Sequence, residues 1–369
     1  MVVGAGVFGV WTALELQRQG VNVLLVDAWG VGHSRASSSG ESRVIRIGYG
    51  DRALYSEWSL HSLDRWKTLQ RELERNLFLE TGVLWLGGEE DTQIADTIRV
   101  FDGLQVGYER LTRSELQKRF PQLATHDINQ GLWEPGSGIL LARFACQQAA
   151  QHMVRQGGDF RLSAVKSPGK SHHGRLQTLE MQHGPPLEAD SFVFCCGPWL
   201  PKLFPDLLAS QIKVSRQEVF FFGLPAGDQS YLPGRLPAWI DLGSEVFYGL
   251  PAVGGRSLKL ACDETGPAFD PTLGERSPSP QELKRLRGYL AHRFPALQDA
   301  PLLENRVCQY SRSSDSHLIV DRHPEWSNVV IAGAGSGHGF KLGPAVGRQT
   351  SQLLLDPAAE TPREVRLGG

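Results

Sequence analysis

Three glycines and an aspartate near the beginning of the chain have the types and spacing to bind a nucleotide. Gly4, Gly6 and Gly9 have the G-x-G-x-x-G spacing, which lets a backbone turn approach a pyrophosphate at the start of a helix. Asp27 ends the next apolar run, close to the distance of about 20 residues at which a carboxylate accepts hydrogen bonds from a ribose. Together these residues predict a dinucleotide site without a 2′-phosphate, and they leave FAD and NAD open.

The segments around the glycines predict the elements that such a site needs. A three-residue apolar stub before the first glycine predicts a parallel strand, and we expect further native residues to precede it. Residues 7–19 predict a helix that ends at Gly20, and residues 21–27 predict a second buried strand. Residues 28–50 are rich in Gly and Ser and too long for an ordinary connection, so we expect a ligand to shape them.

Nucleotide-binding segments recur in the middle and at the end of the chain, with β-rich segments between them. Further helices are predicted at 55–74, from 142, at 280–294 after the capping residue Ser279 and through Leu355, and strands at 192–199, in 213–250 and at 328–335. This order predicts an α/β chain, α+β overall, in which a Rossmann-type domain is interleaved with an antiparallel-sheet domain. The predicted dinucleotide-binding domain comprises 1–80, 142–212 and 306–369, and the substrate domain 81–141 and 213–305.

Composition excludes several classes of protein. The 38 Lys and Arg residues nearly balance the 40 Asp and Glu residues, so we expect no nucleic acid partner and no acidic membrane partner. No apolar run approaches the roughly 20 residues of a membrane span, and we expect a cytoplasmic protein. Five cysteines without a C-x-x-C pair predict neither disulfides nor structural zinc. Without H-x-x-x-H or G-x-S-x-G spacings, no metal site and no serine nucleophile are predicted.

Four later segments carry a more specific signal. They are Gly40–Arg46 followed by Tyr49-Gly50, Arg306–Tyr310, Asp321–Pro324 and Ser336–Lys341. In order and separation they resemble the signature segments of the monomeric sarcosine oxidase family, whose relatives include N-methyltryptophan oxidase and pipecolate oxidase, within the D-amino-acid oxidase superfamily. The resemblance implies FAD, a p-hydroxybenzoate-hydroxylase-type FAD domain, and a smaller antiparallel-sheet domain that carries the substrate cavity.

The resemblance also changes the interpretation of Cys308. By itself, a cysteine in this position would be read as a small buried apolar residue. Within the R-V-C-x-Y segment, the resemblance implies that Cys308 forms a thioether to the flavin 8-methyl carbon, so that the FAD is covalently bound.

Three cations are placed at the flavin by the resemblance. Lys341 would lie beside the substrate carboxylate and Arg46 against the flavin, and this pairing would select amino-acid-like amines. Cations at that edge would also stabilise the negative charge that a reduced flavin gains. Arg43 is expected to be a structural or cofactor contact. The alternatives are a solvated lysine at a helix end and an exposed arginine.

A second group of candidates lies in the β-rich region. Tyr248 and Lys259 have the family separation, which implies that Lys259 lies across the flavin face and speeds the reduction of oxygen by stabilising superoxide. Its alternative is a strand lysine that points to water. Tyr248 and Tyr310 are expected either to line the amine pocket or to be core residues.

Two positions depart from the family pattern. Asp263 stands where the family commonly has a histidine, so we expect a different substrate preference or a different ionisation of the bound amine. Gly335 stands where the family usually has an aromatic residue, which would leave more room near the flavin. The resemblance therefore does not imply sarcosine itself as the substrate.

The remaining cofactor contacts are expected from the turn, the Ser-rich segment and the later signature segments. His33 is expected near the FAD phosphates, and His338 is expected to support its turn rather than act as a base. The full predicted cofactor set is Gly4, Gly6, Val7, Phe8, Gly9, Asp27, Ala28, His33, Ser37, Ser38, Ser42, Arg43, Val165, Gly197, Trp199, Cys308, Gly335, Gly337, Gly339, Phe340 and Lys341.

These residues predict a specific reaction. A neutral secondary amine, N-methyl or cyclic, would pass a hydride from the carbon beside nitrogen to flavin N5, and oxygen would then reoxidise the flavin and yield hydrogen peroxide. The predicted catalytic set is Lys259, Arg46, Lys341, Tyr248, Tyr310 and Asp263, with no general base assigned, and the protein is expected to be a monomer. The alternatives are a flavin dehydrogenase that passes electrons to a carrier and a non-catalytic FAD-binding protein.

Overall fold

Two large sheets organise the computed structural model, which describes residues 1–88, 91–169 and 174–368. Its strands are β1 (Val2–Val3), β2 (Leu24–Asp27), β3 (Arg43–Ile45), β4 (Phe78–Leu79), β5 (Val83–Gly87), β6 (Glu109–Thr112), β7 (Gln130–Glu134), β8 (Gly138–Leu140), β9 (Asp159–Leu162), β10 (Thr178–Leu179), β11 (Leu187–Glu188), β12 (Phe192–Phe194), β13 (Lys213–Gly223), β14 (Ala238–Leu242), β15 (Val246–Leu250), β16 (Ser257–Cys262), β17 (Leu302–Arg312), β18 (Ile319–Arg322) and β19 (Val329–Gly333). Its helices are α1 (Val7–Arg18), α2 (Ala53–Leu73), α3 (Thr92–Leu104), α4 (Arg113–Arg119), α5 (Ala142–Arg155), α6 (Leu200–Leu203), α7 (Pro205–Leu208), α8 (Pro280–Arg293) and α9 (Gly343–Leu355).

The first sheet carries the glycine turn. Its strand order is β18-β19-β12-β1-β2-β9, and neighbouring strands are parallel except for the antiparallel pair of β18 and β19. Helix α1 packs against α5 and α9 on this sheet. Because β1 lies in the middle, the turn that follows it opens at the carboxyl edge of the parallel strands, where sheets of this kind bind ligands.

The second sheet has eight strands in the order β17-β13-β16-β15-β14-β5-β7-β6, antiparallel except for the parallel pair of β14 and β5. Side chains alternate between its two faces. Phe220 and Leu258 belong to the same core cluster as Leu286 and Leu290 of α8, so one face is covered by this helix. Lys259 lies between Leu258 and Leu260 in β16, so its side chain belongs to the opposite face.

A small sheet of β3, β8 and β4 connects the two halves. β3 lies within the polar segment 28–50, so this segment gains a strand that was not predicted. β17 belongs along its whole length to the eight-stranded sheet, so the predicted boundary before Arg306 falls inside one strand. Otherwise the division into domains stays a prediction.

The predicted helices 7–19, 55–74 and 280–294 correspond to α1, α2 and α8, with ends that differ by one or two residues. Glu74 has a φ of 52°, which is the left-handed conformation of a residue just past a helix end, so α2 stops at Leu73. Ser279 caps α8 as expected, because its side chain accepts a hydrogen bond from Glu282 N. In the described ranges, no helix combines the length and apolarity needed to cross a bilayer.

A buried ion pair joins α8 to the eight-stranded sheet. Arg293 is 2% exposed, and its Nε donates to Oδ2 of Asp241 at 2.7 Å. Tyr289 Oη donates to the same oxygen at 2.8 Å. The helix is therefore attached to β14 by charge as well as by apolar packing.

We expect Arg293→Met to lower the free energy of unfolding by about 3–5 kcal/mol, because the Asp241 carboxylate would be left buried without its cation. Lys284→Met, at an exposed position of the same helix, should change it by less than about 0.5 kcal/mol. Urea denaturation of both variants measures the difference. Equal effects of the two substitutions would contradict the role of the ion pair.

Candidate flavin and substrate site

The glycine turn brings three stretches of backbone unusually close together. Gly4 has a φ of 100°, and a Cβ added there would lie 2.5 Å from the carbonyl oxygen of Cys195. A Cβ added at Gly9 would lie 1.8 Å from the carbonyl oxygen of Gly4. Glycine is therefore required at both positions, and the start of α1 stays open to a ligand.

Asp27 and Ser38 support this turn from either side. Asp27 accepts hydrogen bonds from the backbone N–H of Ala5 at 2.7 Å and of Trp29 and Gly30 at 2.8 Å. Val7 N, in the first turn of α1, donates to Ser38 Oγ at 2.9 Å. Asp27, which is predicted to bind the ribose, thus also stabilises the backbone around the site.

A cavity of about 1110 Å³ begins at this turn, a volume large enough for a dinucleotide. It brings together most of the predicted cofactor residues, namely Gly4, Gly6, Val7, Phe8, Asp27, Ala28, His33, Ser37, Ser38, Arg43, Val165, Gly197, Trp199, Gly335, Gly337, Gly339 and Phe340, and also Tyr310. Gly9, Ser42, Cys308 and Lys341 do not line it in the described part of the chain. The lining of the cavity fits FAD in size, in its glycine cradle and in its backbone donors.

Three aromatic rings meet at one end of the cavity. Trp29 is 43% exposed, and the centroid of its ring lies 4.8 Å from that of Trp199 and 5.0 Å from that of His33. Burial lowers the pKa of His33, which favours the neutral ring. Trp29 was not predicted, although its position two residues after Asp27 and its aromatic type were a usable signal.

Arg43 has a structural role in the polar segment 28–50. Its Nη2 donates to the carbonyl oxygens of Ser37 at 3.0 Å and Ser39 at 2.7 Å. Ser37 Oγ in turn donates to the carbonyl oxygen of Gln309 at 2.9 Å. The segment is therefore fixed by protein contacts in addition to any ligand.

Cys308, the predicted site of flavin attachment, shares one face of the eight-stranded sheet with several predicted substrate residues. Cys308, Tyr310 and Arg312 alternate along β17, so their side chains lie on the same face. Through the pairing of the intervening strands, Lys259 and Tyr248 belong to this face too. Residues that are far apart in sequence thus form one surface opposite α8.

Lys259 is a buried cation on this surface. It is 4% exposed, and its Nζ donates to the carbonyl oxygen of Ser42 at 2.7 Å. The alternative of a lysine that points to water is therefore wrong. Burial, with a further contribution from the charge of Arg43, holds the pKa of Lys259 well below its usual value. A small cavity of about 50 Å³ adjoins Lys259 and is lined in part by Glu41 and Glu304.

Lys341 is the second buried lysine. It is 5% exposed, and its Nζ donates to the carbonyl oxygen of His338 at 3.1 Å, so the alternative of a solvated lysine is also wrong. Nζ lies 5.0 Å from the ring centroid of Tyr49, and the Arg46 guanidinium lies 4.2 Å from the same centroid. Burial, followed by the charge of Arg46, holds the pKa of Lys341 well below its usual value.

A buried carboxylate that the sequence interpretation missed lies beneath Arg46. Glu134 is 1% exposed and accepts hydrogen bonds from Ile47 N at 2.8 Å, Trp85 Nε1 at 2.6 Å and Ser137 Oγ at 2.7 Å. The Arg46 guanidinium lies 4.7 Å from the ring centroid of Trp85. A glutamate at the end of an otherwise apolar strand was the available signal.

Tyr248 and Tyr310 meet through their hydroxyl oxygens, which are 3.4 Å apart. Both side chains are only partly buried, and burial raises the pKa of Tyr248 to about 12. Gly337 has a φ of 84°, and a Cβ added there would lie 2.7 Å from a ring carbon of Tyr310. The Ser336–Lys341 turn therefore packs directly on the tyrosine pair.

His338 supports this turn and is not poised as a base. Its Nε2 lies 3.0 Å from the carbonyl oxygen of Ser316, which can only accept, so Nε2 carries the proton and Nδ1 accepts from Tyr49 Oη at 3.2 Å. Burial, with the charge of Lys341 next, holds the pKa of His338 well below its usual value. Ala334 and Ser336, close to His338 in sequence, have φ values of 49° and 47°, which are unfavourable for residues other than glycine.

The two departures have clear structural settings. The carboxylate of Asp263 is 45% exposed and lies 3.1 Å from an Nη of Arg312, so its charge is partnered. A Cβ added at Gly335 would meet no atom closer than 3.8 Å, namely Gly339 Cα. The position therefore has space for a side chain.

The comparisons with known proteins decide the family. The profile of the FAD-dependent oxidoreductase family, DAO, matches residues 1–353. The chain belongs to this family. It is therefore an FAD-dependent oxidoreductase, so the cofactor is FAD and not NAD. The predicted resemblance is confirmed.

Curated relatives match nearly the whole chain. Identity is 32% with the monomeric sarcosine oxidase of Bacillus sp. (strain B-0618), over 98% of this chain and 93% of the relative. It is 29% with the peroxisomal sarcosine oxidase of Mus musculus, over 96% and 91%. It is 26% with the N-methyl-L-tryptophan oxidase of Salmonella enteritidis, over 96% and 94%.

Solved structures confirm the predicted fold class. The L-proline dehydrogenase from P. horikoshii superposes with a TM-score of 0.84 at 20% identity, covering 98% of this chain and 94% of that chain. A modified fructosyl peptide oxidase from Aspergillus nidulans gives 0.85 at 19% identity, covering 99% and 92%.

Outside the flavin site, one group of potential metal ligands was not predicted. His126, Asp127 and His292 are exposed, and their ligand atoms lie within 4.8 Å of one another. Arg293 contacts both oxygens of Asp127 at 2.8 and 3.0 Å. Because a guanidinium neutralises the carboxylate there, the group is an ion-pair cluster.

We expect Gly9→Ala to abolish flavin binding in this FAD-dependent oxidoreductase, because the new methyl group would collide with the Gly4 carbonyl and displace α1. Gly288→Ala, in α8 and away from the cavity, is the matched control, since a Cβ added there meets no atom within 4 Å. The measurement is the ratio of flavin to protein absorbance after purification, with circular dichroism to check folding. Full flavin content in Gly9→Ala would refute the cradle geometry.

Proposed function

We propose that the protein is an FAD-dependent oxidase of secondary amino acids, N-methyl or cyclic. The observation that carries the proposal is the pair of cations, Arg46 and Lys341, against the ring of Tyr49, next to a tyrosine pair that borders the flavin cavity. Bound FAD would supply the chemistry by accepting a hydride from the carbon beside nitrogen, so that an imine leaves, and by passing the electrons to oxygen as hydrogen peroxide. The names of the curated relatives, sarcosine oxidase and N-methyl-L-tryptophan oxidase, support this substrate class.

The substrate carboxylate is the group that the cation pair would bind. Lys341 is buried and Arg46 is partly buried, and the charge of Arg46 adds to burial in lowering the pKa of Lys341. An anion bound by both side chains would relieve this repulsion and part of the lost hydration. The charges of Asp263 and of the buried Glu134 offset only part of this effect, since the pKa of Lys341 stays well below its usual value. The pair therefore favours amines that carry a carboxylate.

The tyrosine pair would shape the pocket for the amine. Burial holds the pKa of Tyr248 at about 12, so its hydroxyl keeps its proton at neutral pH and can donate as well as accept. His338, with Nδ1 bound to Tyr49 and Nε2 bound to Ser316, has no nitrogen available for the substrate. We therefore propose that the amine enters neutral and that no side chain acts as a general base.

Lys259 is the proposed residue for the oxygen reaction. A positive charge fixed near the flavin would stabilise the superoxide formed by the first electron transfer. Within the described residues its Nζ donates to one backbone carbonyl, that of Ser42, and the side chain is 4% exposed. Such a desolvated charge interacts with a new anion more strongly than a hydrated one would.

Cys308 is the proposed covalent attachment point for the flavin. Its sulfur forms no disulfide and the residue is partly exposed, and the next three residues of β17 line the cavity. Cys195 and Cys196 line the cavity, but burial raises the thiol pKa of Cys195 to about 12 and that of Cys196 well above the usual value, so both are poor nucleophiles.

We keep the remaining partners as proposals. Oxygen is the proposed electron acceptor, and the protein is proposed to act as a monomer in the cytoplasm without nucleic acid or membrane partners. The five cysteines are all free, which supports a reducing compartment. The printed name of the Bacillus relative, a monomeric oxidase, supports the oligomeric state.

Anaerobic titration with N-methyl and cyclic amino acids should bleach the flavin, and aerobic turnover should release one hydrogen peroxide per imine. Lys259→Met should leave the anaerobic bleaching intact and slow reoxidation by oxygen by about 10²-fold or more. Lys213→Met, an exposed lysine of β13, is the control. Bleaching without peroxide would identify a dehydrogenase, and no bleaching by any secondary amine would leave only FAD binding.

Acid precipitation tests the covalent attachment. We expect the flavin to remain with the unaltered protein and to be released from Cys308→Ala, because the thioether sulfur is then absent. Cys196→Ala should keep the acid-stable flavin. Mass spectrometry of the flavin peptide provides the site. Release of flavin from the unaltered protein would show that the FAD is not covalently bound.

A further inference from the structure

Arg312 is an arginine at the edge of the proposed substrate pocket with no role in the predicted site. It is the last residue of β17 and lies on the same face as Cys308 and Tyr310. Its guanidinium carbon lies 5.1 Å from the ring centroid of Tyr310. Since Tyr310 lines the flavin cavity and contacts Tyr248, Arg312 continues the surface on which the amine would lie.

Most of the hydrogen-bonding capacity of Arg312 is unused. A guanidinium has five N–H donors, and within residues 1–88, 91–169 and 174–368 Arg312 makes one hydrogen bond, from Nη2 to Oδ1 of Asp263 at 3.1 Å. Its Nε is buried without a partner in the same ranges. A donor in this state has lost its hydration without a replacement, which costs free energy.

Asp263 differs from Arg312 in its access to water. Its carboxylate is 45% exposed, whereas Arg312 is 18% exposed. Burial is the main reason that the pKa values of Tyr248 and Tyr310 are raised, and the charge of Asp263 adds to both shifts. The carboxylate is thus close enough to act on the tyrosine pair, yet it remains hydrated.

This asymmetry determines which ligand charge the pair favours. An acceptor on a ligand could take the free donors of Arg312 and recover the free energy lost by desolvation, while Asp263 would turn towards water at little cost. A cationic ligand group would instead have to draw Asp263 away from Arg312 and would leave the guanidinium with no partner. The pair therefore selects for an anion.

We infer that Arg312 binds a second carboxylate of the substrate. The substrate is then a dicarboxylic secondary amino acid, with one carboxylate at Lys341 and Arg46 and the other at Arg312, while Asp263 holds the guanidinium in place in the free enzyme. This inference rests on the proposed function. The substitution of an acid for the expected histidine at position 263 and the presence of Arg312 are parts of the same arrangement, because each is the partner of the other.

The test compares two isosteric amines on the FAD-loaded protein. In anaerobic titrations, N-methyl-DL-glutamate should bleach the flavin at a half-saturating concentration at least about 10-fold below that of N-methyl-DL-glutamine, the effect expected of a desolvated ion pair. Arg312→Met should remove this preference by weakening only the dicarboxylate. Arg287→Met, on the helix that covers the other face, carries the same change in net charge and should retain the preference.

Two further measurements keep the test independent of folding and of turnover. Asp263→Asn keeps Arg312 and removes the negative charge that competes for it, so it should lower the half-saturating concentration of the dicarboxylate. Glutarate and butyrate, which cannot be oxidised as amines, report binding through the visible spectrum of the flavin. Glutarate should act at the lower concentration, and Arg312→Met should abolish the difference.

The outcomes separate this inference from the proposed function. Equal or stronger bleaching by the glutamine analogue, with no glutarate preference, would overturn the role of Arg312 and leave the amine oxidase standing. Absence of bleaching by these two amines and by every other secondary amine tested, together with a glutarate preference that depends on Arg312, would overturn the proposed function and support the anion site.

Discussion

The structure depends on holding two lysine ammonium groups out of water beside a flavin-sized cavity. Lys259 and Lys341 are 4% and 5% exposed, and each donates to one backbone carbonyl. Such burial is costly for a cation. It is sustained by the carbonyls of two polar segments, the one that contains Ser42 and the turn that contains His338. Each segment therefore contributes one backbone carbonyl to a buried lysine.

The sheets supply the rigidity that these charges need. The eight-stranded sheet is packed against α8 on one face, where Arg293 and Asp241 add an ion pair to the apolar contacts. Its other face is thereby free to carry polar groups, and strand alternation collects Lys259, Cys308 and Tyr310 there. The six-stranded sheet contributes the glycine turn at its carboxyl edge. The cavity is therefore lined by this turn on one side and by residues of β17, such as Tyr310, on the other.

Much of the site was predictable because its signals are local. Glycines at fixed spacing permit a close backbone approach, and a Cβ at Gly4 or Gly9 would collide with a backbone carbonyl oxygen. Signature segments identified the family and hence FAD. Glu134, Trp29 and Arg312 were not predicted. Local signals existed for Glu134 and Trp29, but the role of Arg312 depends on Asp263 and Tyr310, which the fold brings to it. The sequence also did not show that β17 continues across Arg306, since the extent of this strand is defined by its pairing with β13.

The sequence by itself determined the family, the cofactor and the class of fold, because periodicity, glycine spacing and motif order are written in consecutive residues. Only the tertiary structure decided which charges are buried and which are paired. Lys259 could have pointed to water, and Asp263 stood as an unexplained acid until Arg312 was found 3.1 Å away. Burial and pairing depend on residues that are distant in the chain, so the electrostatics of the site are fixed only when the chain has folded.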